Sequence, residues 1–123
     1  MHNKCENDID TYASFNKKSE KGDGIDGHEL LQNAWLKKHG YVYRRGNGLS
    51  RQNIALGLTE EQHKLVTELQ REAGMFSDEY LSRVSWQQNV VDNMYILSEA
   101  GVSQSVIDKF YYYCNIFALK NRL

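Results

Sequence analysis

Proline is absent from all 123 residues. No pyrrolidine ring therefore kinks a helix or removes a ladder hydrogen bond. Cysteine is almost absent: the two thiols, Cys5 and Cys114, lie far apart. A pair so placed does not make a disulfide framework. Without a Cys-x-x-Cys pair, a zinc site of the usual thiolate type is excluded. Cys114 sits among Tyr113, Ile116 and Phe117. It is expected as a buried free thiol, blunted as a nucleophile by apolar surroundings. No apolar run approaches the roughly 20 residues that span a bilayer. The opening Met1-His2-Asn3-Lys4-Cys5-Glu6 is polar and does not resemble a secretory signal. The P-loop lysine pattern, His-Glu-x-x-His and Gly-x-Ser-x-Gly are missing, which argues against the chemistries those motifs carry.

What is present suits a single modest domain. Apolar residues make up 41% of the chain, enough for a packed core, and charged residues 25%. The net charge of −1 hides an uneven distribution. Residues 28–57 hold five Lys/Arg against a single Glu, while both flanking segments are net acidic. A polyanionic partner would favour that basic stretch, and a solvated basic loop would look the same.

Residues 1–24 mix Asn, Asp, Lys, Ser and Gly with isolated Ile9, Tyr12 and Phe15. Such a stretch reads as a polar tail or linker, followed by one compact domain over 25–123. The expected fold is α+β and mostly helical. A helix is expected over 27–39, with Asp26 as N-cap, Glu29 at capping-box spacing and a buried stripe of Leu31, Ala34 and Trp35. Tyr41–Tyr43 and Ile54–Leu56 read as short strands, separated by a basic turn at Arg44-Arg45-Gly46-Asn47-Gly48. Thr59 and Gln62 open a second helix through a capping box, with Leu65, Val66 and Leu69 inward. Ser77, Ser85 and Ser103 open three more. Their apolar faces read as support for the core. The run Phe110-Tyr111-Tyr112-Tyr113 reads as core plus snorkelled hydroxyls before it reads as a base-stacking platform.

Three residues carry chemistry in order: His28, Asn53 and His63. One imidazole can take a proton from water, the amide can hold that ring, and the other imidazole can ligate a divalent cation. Near a helix start, His28 would be kept neutral by the local amide groups. Each residue also has a plainer reading, as a first-turn polar residue, a turn-forming Asn and a boundary His respectively. Arg44, Arg45 and Arg51 can pair bidentately with phosphates. Glu29 and Asp26 are the nearest carboxylates able to complete a metal shell, and spacing does not choose between them.

The segments Gly27-His28-Glu29-Leu30-Leu31-Gln32-Asn33-Ala34-Trp35-Leu36, Ser50-Arg51-Gln52-Asn53-Ile54-Ala55-Leu56 and Thr59-Glu60-Glu61-Gln62-His63 resemble the HNH/endonuclease VII superfamily. The likeness is nearest to the small nuclease domains at the C-termini of bacterial polymorphic toxins. It covers roughly residues 26–70. It implies a small ββα-metal core, with the further C-terminal helices lying outside the likeness. It implies one divalent cation (Mg, Mn or Zn) and hydrolysis of nucleic acid. By that resemblance His28 is the general base, Asn53 the orienting amide and His63 a metal ligand, with Glu29 beside it. Many members place a His or an Asp directly before the general base, where this chain has Gly27. The likeness further implies a secreted or delivered effector acting in a target cell, and an immunity protein as partner. The competing expectation is a non-enzymatic helical interaction module, an immunity or adaptor protein, with the basic turn as its surface. A helix-turn-helix DNA binder is a third, but no helix is rich in Arg, Asn and Gln.

Overall fold

The computed structural model describes residues 5–15, 24–42 and 48–123. The fold is α+β, with one small antiparallel sheet and helices making up most of the rest. Three strands, β1 (Ile9–Thr11), β2 (Ile25–Glu29) and β3 (Ile54–Thr59), lie in the order β1-β3-β2. Both pairings are antiparallel, with Ile9 opposite Leu56 and His28 opposite Leu56 across the other edge.

β3 is the central strand, and its Ala55, Leu56, Gly57 and Leu58 are all buried. Two buried faces are what a continuous apolar run predicts for a central strand. One face is covered by the short helix α1 (Tyr12–Phe15). On the other face, Leu56 and Leu58 join the main core with Val66, Leu97, Phe110 and Phe117.

Among the described residues between β2 and β3 lie two short helices, α2 (Asn33–Lys38) and α3 (Leu49–Gln52). β3 runs directly into α4 (Glu60–Glu72). The expected capping box is present: the Thr59 side chain accepts from the Gln62 amide and the Gln62 side chain accepts from the Thr59 amide. α4 packs on both β2 and β3. Three further helices follow, α5 (Asp78–Arg83), α6 (Trp86–Glu99) and α7 (Gln104–Lys120). Ser77 and Ser85 cap the first two by side-chain hydrogen bonds, as their positions suggest. Ser103 precedes α7 without a side-chain cap bond.

Two expectations are corrected. Residues 27–39 are not one helix: Ile25–Glu29 form β2 and helix begins only at Asn33. The Asp26/Glu29 capping spacing is a local signal, and it loses to five backbone pairings with β3. The stretch 1–24 is not all tail either. Ile9–Thr11 add an edge strand, and Tyr12 and Phe15 are buried against the sheet. Their isolated apolar side chains gain burial from β3, a partner more than 40 residues away in sequence.

Tyr41 and Val42 form no strand, and Tyr43, Arg44 and Arg45 lie outside the described residues. The inner face of α4 is also narrower than its pattern suggests, with Val66 and Gln70 buried but Leu65 exposed.

Candidate functional site

β2 and α4 bring the two histidines together. His28 is the fourth residue of β2 and shares a sheet face with Asp26, two residues earlier. That face meets the first turns of α4, where His63 is the fourth helical residue. The two imidazole rings stand edge to face with centroids 5.7 Å apart. Nδ1 of His63 lies 3.4 Å from a carboxylate oxygen of Asp26. Asp26 therefore steadies His63, and Glu29 is the carboxylate that lines the cleft with both rings.

The cleft holds about 240 Å³ and is walled by His28, Glu29, Gln32, Asn33, Ala34, His63, Thr67, Gln70 and Phe76. Among the described residues no Lys or Arg belongs to that lining. Arg51, on α3, is exposed and stands outside it.

His28 is only 7% exposed, and its Nε2 has no hydrogen-bond partner among the described residues. Burial pushes its pKa down to about 3, and the neighbouring His63 pushes in the same direction. The ring is therefore neutral at pH 7 and carries a lone pair ready for a proton or a cation. It stays neutral as the sequence suggests, but for a different reason. Burial holds it so, since His28 lies in a strand and not at a helix start.

Asn53 is fully buried, and its hydrogen bonds go elsewhere than to a ring. Its Oδ1 accepts from the Ile54 amide (2.9 Å). Its Nδ2 donates to the Leu31 carbonyl (2.7 Å) and to Oδ1 of Asn33 (2.9 Å). The Asn53 carbonyl in turn accepts from the Tyr12 amide (2.7 Å). Asn53 thus ties the turn after β2 to the start of β3 and to α1. It orients an amide, Asn33, where an imidazole was expected.

A second amide network backs the cleft from behind. The Gln32 amide donates to Oδ1 of Asn89 (2.9 Å), whose Nδ2 donates back to Oε1 of Gln32 (2.7 Å). The Gln32 side chain also donates to the Met75 carbonyl (3.1 Å). Gln70 donates to Oδ1 of Asn93 (2.7 Å). Two residues of α6 therefore fix two residues of the cleft wall. This gives the C-terminal half a part in the site that the sequence does not disclose.

Sequence reasoning missed Asn33, Gln32 and Gln70. An amide inside an apparent helix reads as a solvated residue, and only the tertiary partners reveal otherwise. The thiols match expectation: neither cysteine is in a disulfide among the described residues, Cys114 is buried, and burial pushes its pKa up to about 12. It is no nucleophile at neutral pH.

The two imidazoles and the Glu29 carboxylate that line the cleft are nitrogen and oxygen donors of the kinds divalent cations take. Among the described residues, no three His, Cys, Asp or Glu groups stand close enough to hold a cation by themselves. Water and substrate oxygens would complete such a shell, as they do where protein ligands are few. Among the same residues, no helix is long and apolar enough to cross a membrane. Comparison with protein-family models, curated proteins and solved structures gave no match.

Proposed function

We propose that this chain is a metal-assisted hydrolase of phosphodiester bonds in nucleic acid. The observation that carries the reading is the convergence of a buried, neutral His28 and an Asp26-held His63 on one cleft. The order of elements supports it: an antiparallel strand pair, β2 and β3, leads into α4, as in a ββα-metal core. His63 and Glu29 are the residues that would hold the cation, with Asp26 fixing the His63 ring. A cation there would supply Lewis-acid polarisation of the phosphoryl oxygen.

His28 accepts the proton of the attacking water at Nε2. At rest its burial makes it a weak base. A substrate phosphate in the cleft brings negative charge beside the ring and raises its proton affinity. Arg51, outside the cleft lining, would serve a flanking phosphate of the strand, and Arg44 and Arg45, which lie outside the described residues, are proposed for the same role.

The domain would serve as the toxin of a bacterial antagonism system, delivered to a target cell and neutralised by an immunity protein. Its exposed apolar residues on α6 and α7, Val91, Tyr95, Tyr112, Ile116 and Leu119, support a protein partner. They equally favour the second reading, a non-enzymatic interaction module. Digestion of plasmid and of total RNA in Mg²⁺, Mn²⁺ or Zn²⁺ separates the two. Degradation by the parent protein, lost in His28→Ala, supports the hydrolase. Equal inactivity of both folded proteins in every metal supports the module.

A further inference from the structure

We propose that Asn33 is the residue that grips the substrate, its side-chain N–H donating to a non-bridging oxygen of the phosphodiester in the His28–His63 cleft. The inference rests on the hydrolase reading and adds a contact to it.

The orientation of the Asn33 amide is fixed by a chain of donors and acceptors. The Ile54 N–H can only donate, so Oδ1 of Asn53 must face it. Nδ2 of Asn53 is then the end that meets the Leu31 carbonyl, and it donates as well to Asn33. Asn33 must therefore present its Oδ1 to Asn53 and turn its Nδ2 the other way. That Nδ2 is buried and has no protein partner among the described residues, in a residue only 7% exposed.

Asn33 lines the cleft beside His28, whose Nε2 is the other buried side-chain atom without a partner among the described residues. Two such atoms in one cleft mark a place shaped for a ligand's polar atoms, because folds rarely leave buried donors unmade. The other amides of the wall are engaged: Gln32 donates to Met75 and Gln70 donates to Asn93. Among the described residues no Lys or Arg lines the cleft, and a neutral amide is the donor its wall offers an oxyanion. A donor left unpaired in the wall of the cleft suits a phosphoryl oxygen.

The test titrates ¹⁵N-labelled protein with a dinucleoside phosphodiester and with its uncharged methylphosphonate analogue. The Asn33 side-chain NH₂ resonance and the two imidazoles are followed. The expected result is a shift of the Asn33 resonance with the diester and a weaker one with the analogue. In parallel, Asn33→Asp keeps an oxygen for Asn53 but replaces the donor with an acceptor. It is expected to raise KM for an oligonucleotide at least tenfold. Histidine shifts without any Asn33 shift, together with an unchanged KM in Asn33→Asp, would overturn the assignment and leave the hydrolase standing. No shift in the cleft at all, with no cleavage by the parent protein, would overturn both.

Discussion

Gly27 and Gly57 face each other across the β2–β3 pair, and the chain packs Phe15 where Gly27 would carry a side chain. A Cβ at Gly27 would lie 2.7 Å from Cβ and Cγ of Phe15, and one at Gly57 would lie 2.6 Å from the Cys5 carbonyl oxygen. The residue before His28 therefore points away from the cleft, into the face covered by α1. Gly27→Ala is expected to destabilise the fold by about 1–3 kcal/mol through overpacking. Gly27→Asp is expected to lose at least as much without tightening Mn²⁺ binding. Urea denaturation and a Mn²⁺ titration check both. A tighter Mn²⁺ site in Gly27→Asp would show that this position does reach the cleft.

Acid sensitivity follows from the burial of His28. Its folded pKa is about 3 against an ordinary 6.5, so between those values the unfolded chain holds the extra proton. Stability from this group is complete above pH 6.5 and is lost as the pH falls towards 3. The slope is at most about 1.4 kcal/mol per pH unit. Urea midpoints measured down this range should fall more steeply for the parent protein than for His28→Asn. Parallel slopes would mean that His28 titrates normally and is not sealed in the cleft.

The two histidines should differ in what their loss removes. His63→Ala is expected to abolish Mn²⁺ binding measured by calorimetry. His28→Ala should retain most of the binding and lose turnover. Asp26→Asn should weaken Mn²⁺ binding by about tenfold, since it frees the His63 ring. The opposite pattern, with binding lost in His28→Ala and kept in His63→Ala, would exchange the roles of the two rings.

Asn89 supports the cleft from a distance. Asn89→Leu removes the acceptor of the Gln32 amide and leaves Oε1 of Gln32 only the 3.5 Å contact from Asn93 in α6. Leaving such buried groups unpaired is expected to cost about 2–3 kcal/mol. Thermal denaturation checks the cost. A fully stable Asn89→Leu would mean that Gln32 finds other partners.

Helices with side-chain caps were legible from sequence, because Thr59, Ser77 and Ser85 act on amides three residues away. The apolar run at Ile54 was legible as a strand for a similar reason, since its character is written locally. β2 was not. Its residues, Ile-Asp-Gly-His-Glu, have little strand character of their own and are extended because β3 pairs with them. β1 and α1 were hidden in the same way, by partners distant in the chain. Of the site, the sequence was read as bringing His28, Asn53 and His63 together; the two rings stand 5.7 Å apart, and the Asn53 side chain bonds elsewhere. The true partner of Asn53 was not foreseen, because spacing says which residues are near and not which atoms remain free. The phosphate-binding reading of Arg51 gains no support from the cleft lining.

The most direct measurement is the single-turnover cleavage of labelled single- and double-stranded oligonucleotides, DNA and RNA, with and without Mn²⁺ or Zn²⁺. The expected result is metal-dependent cleavage by the parent protein, with the rate reduced by at least about a hundredfold in His28→Ala. Full-rate cleavage by His28→Ala, or by the parent in chelator, would contradict a reaction centred on two imidazoles in one cleft.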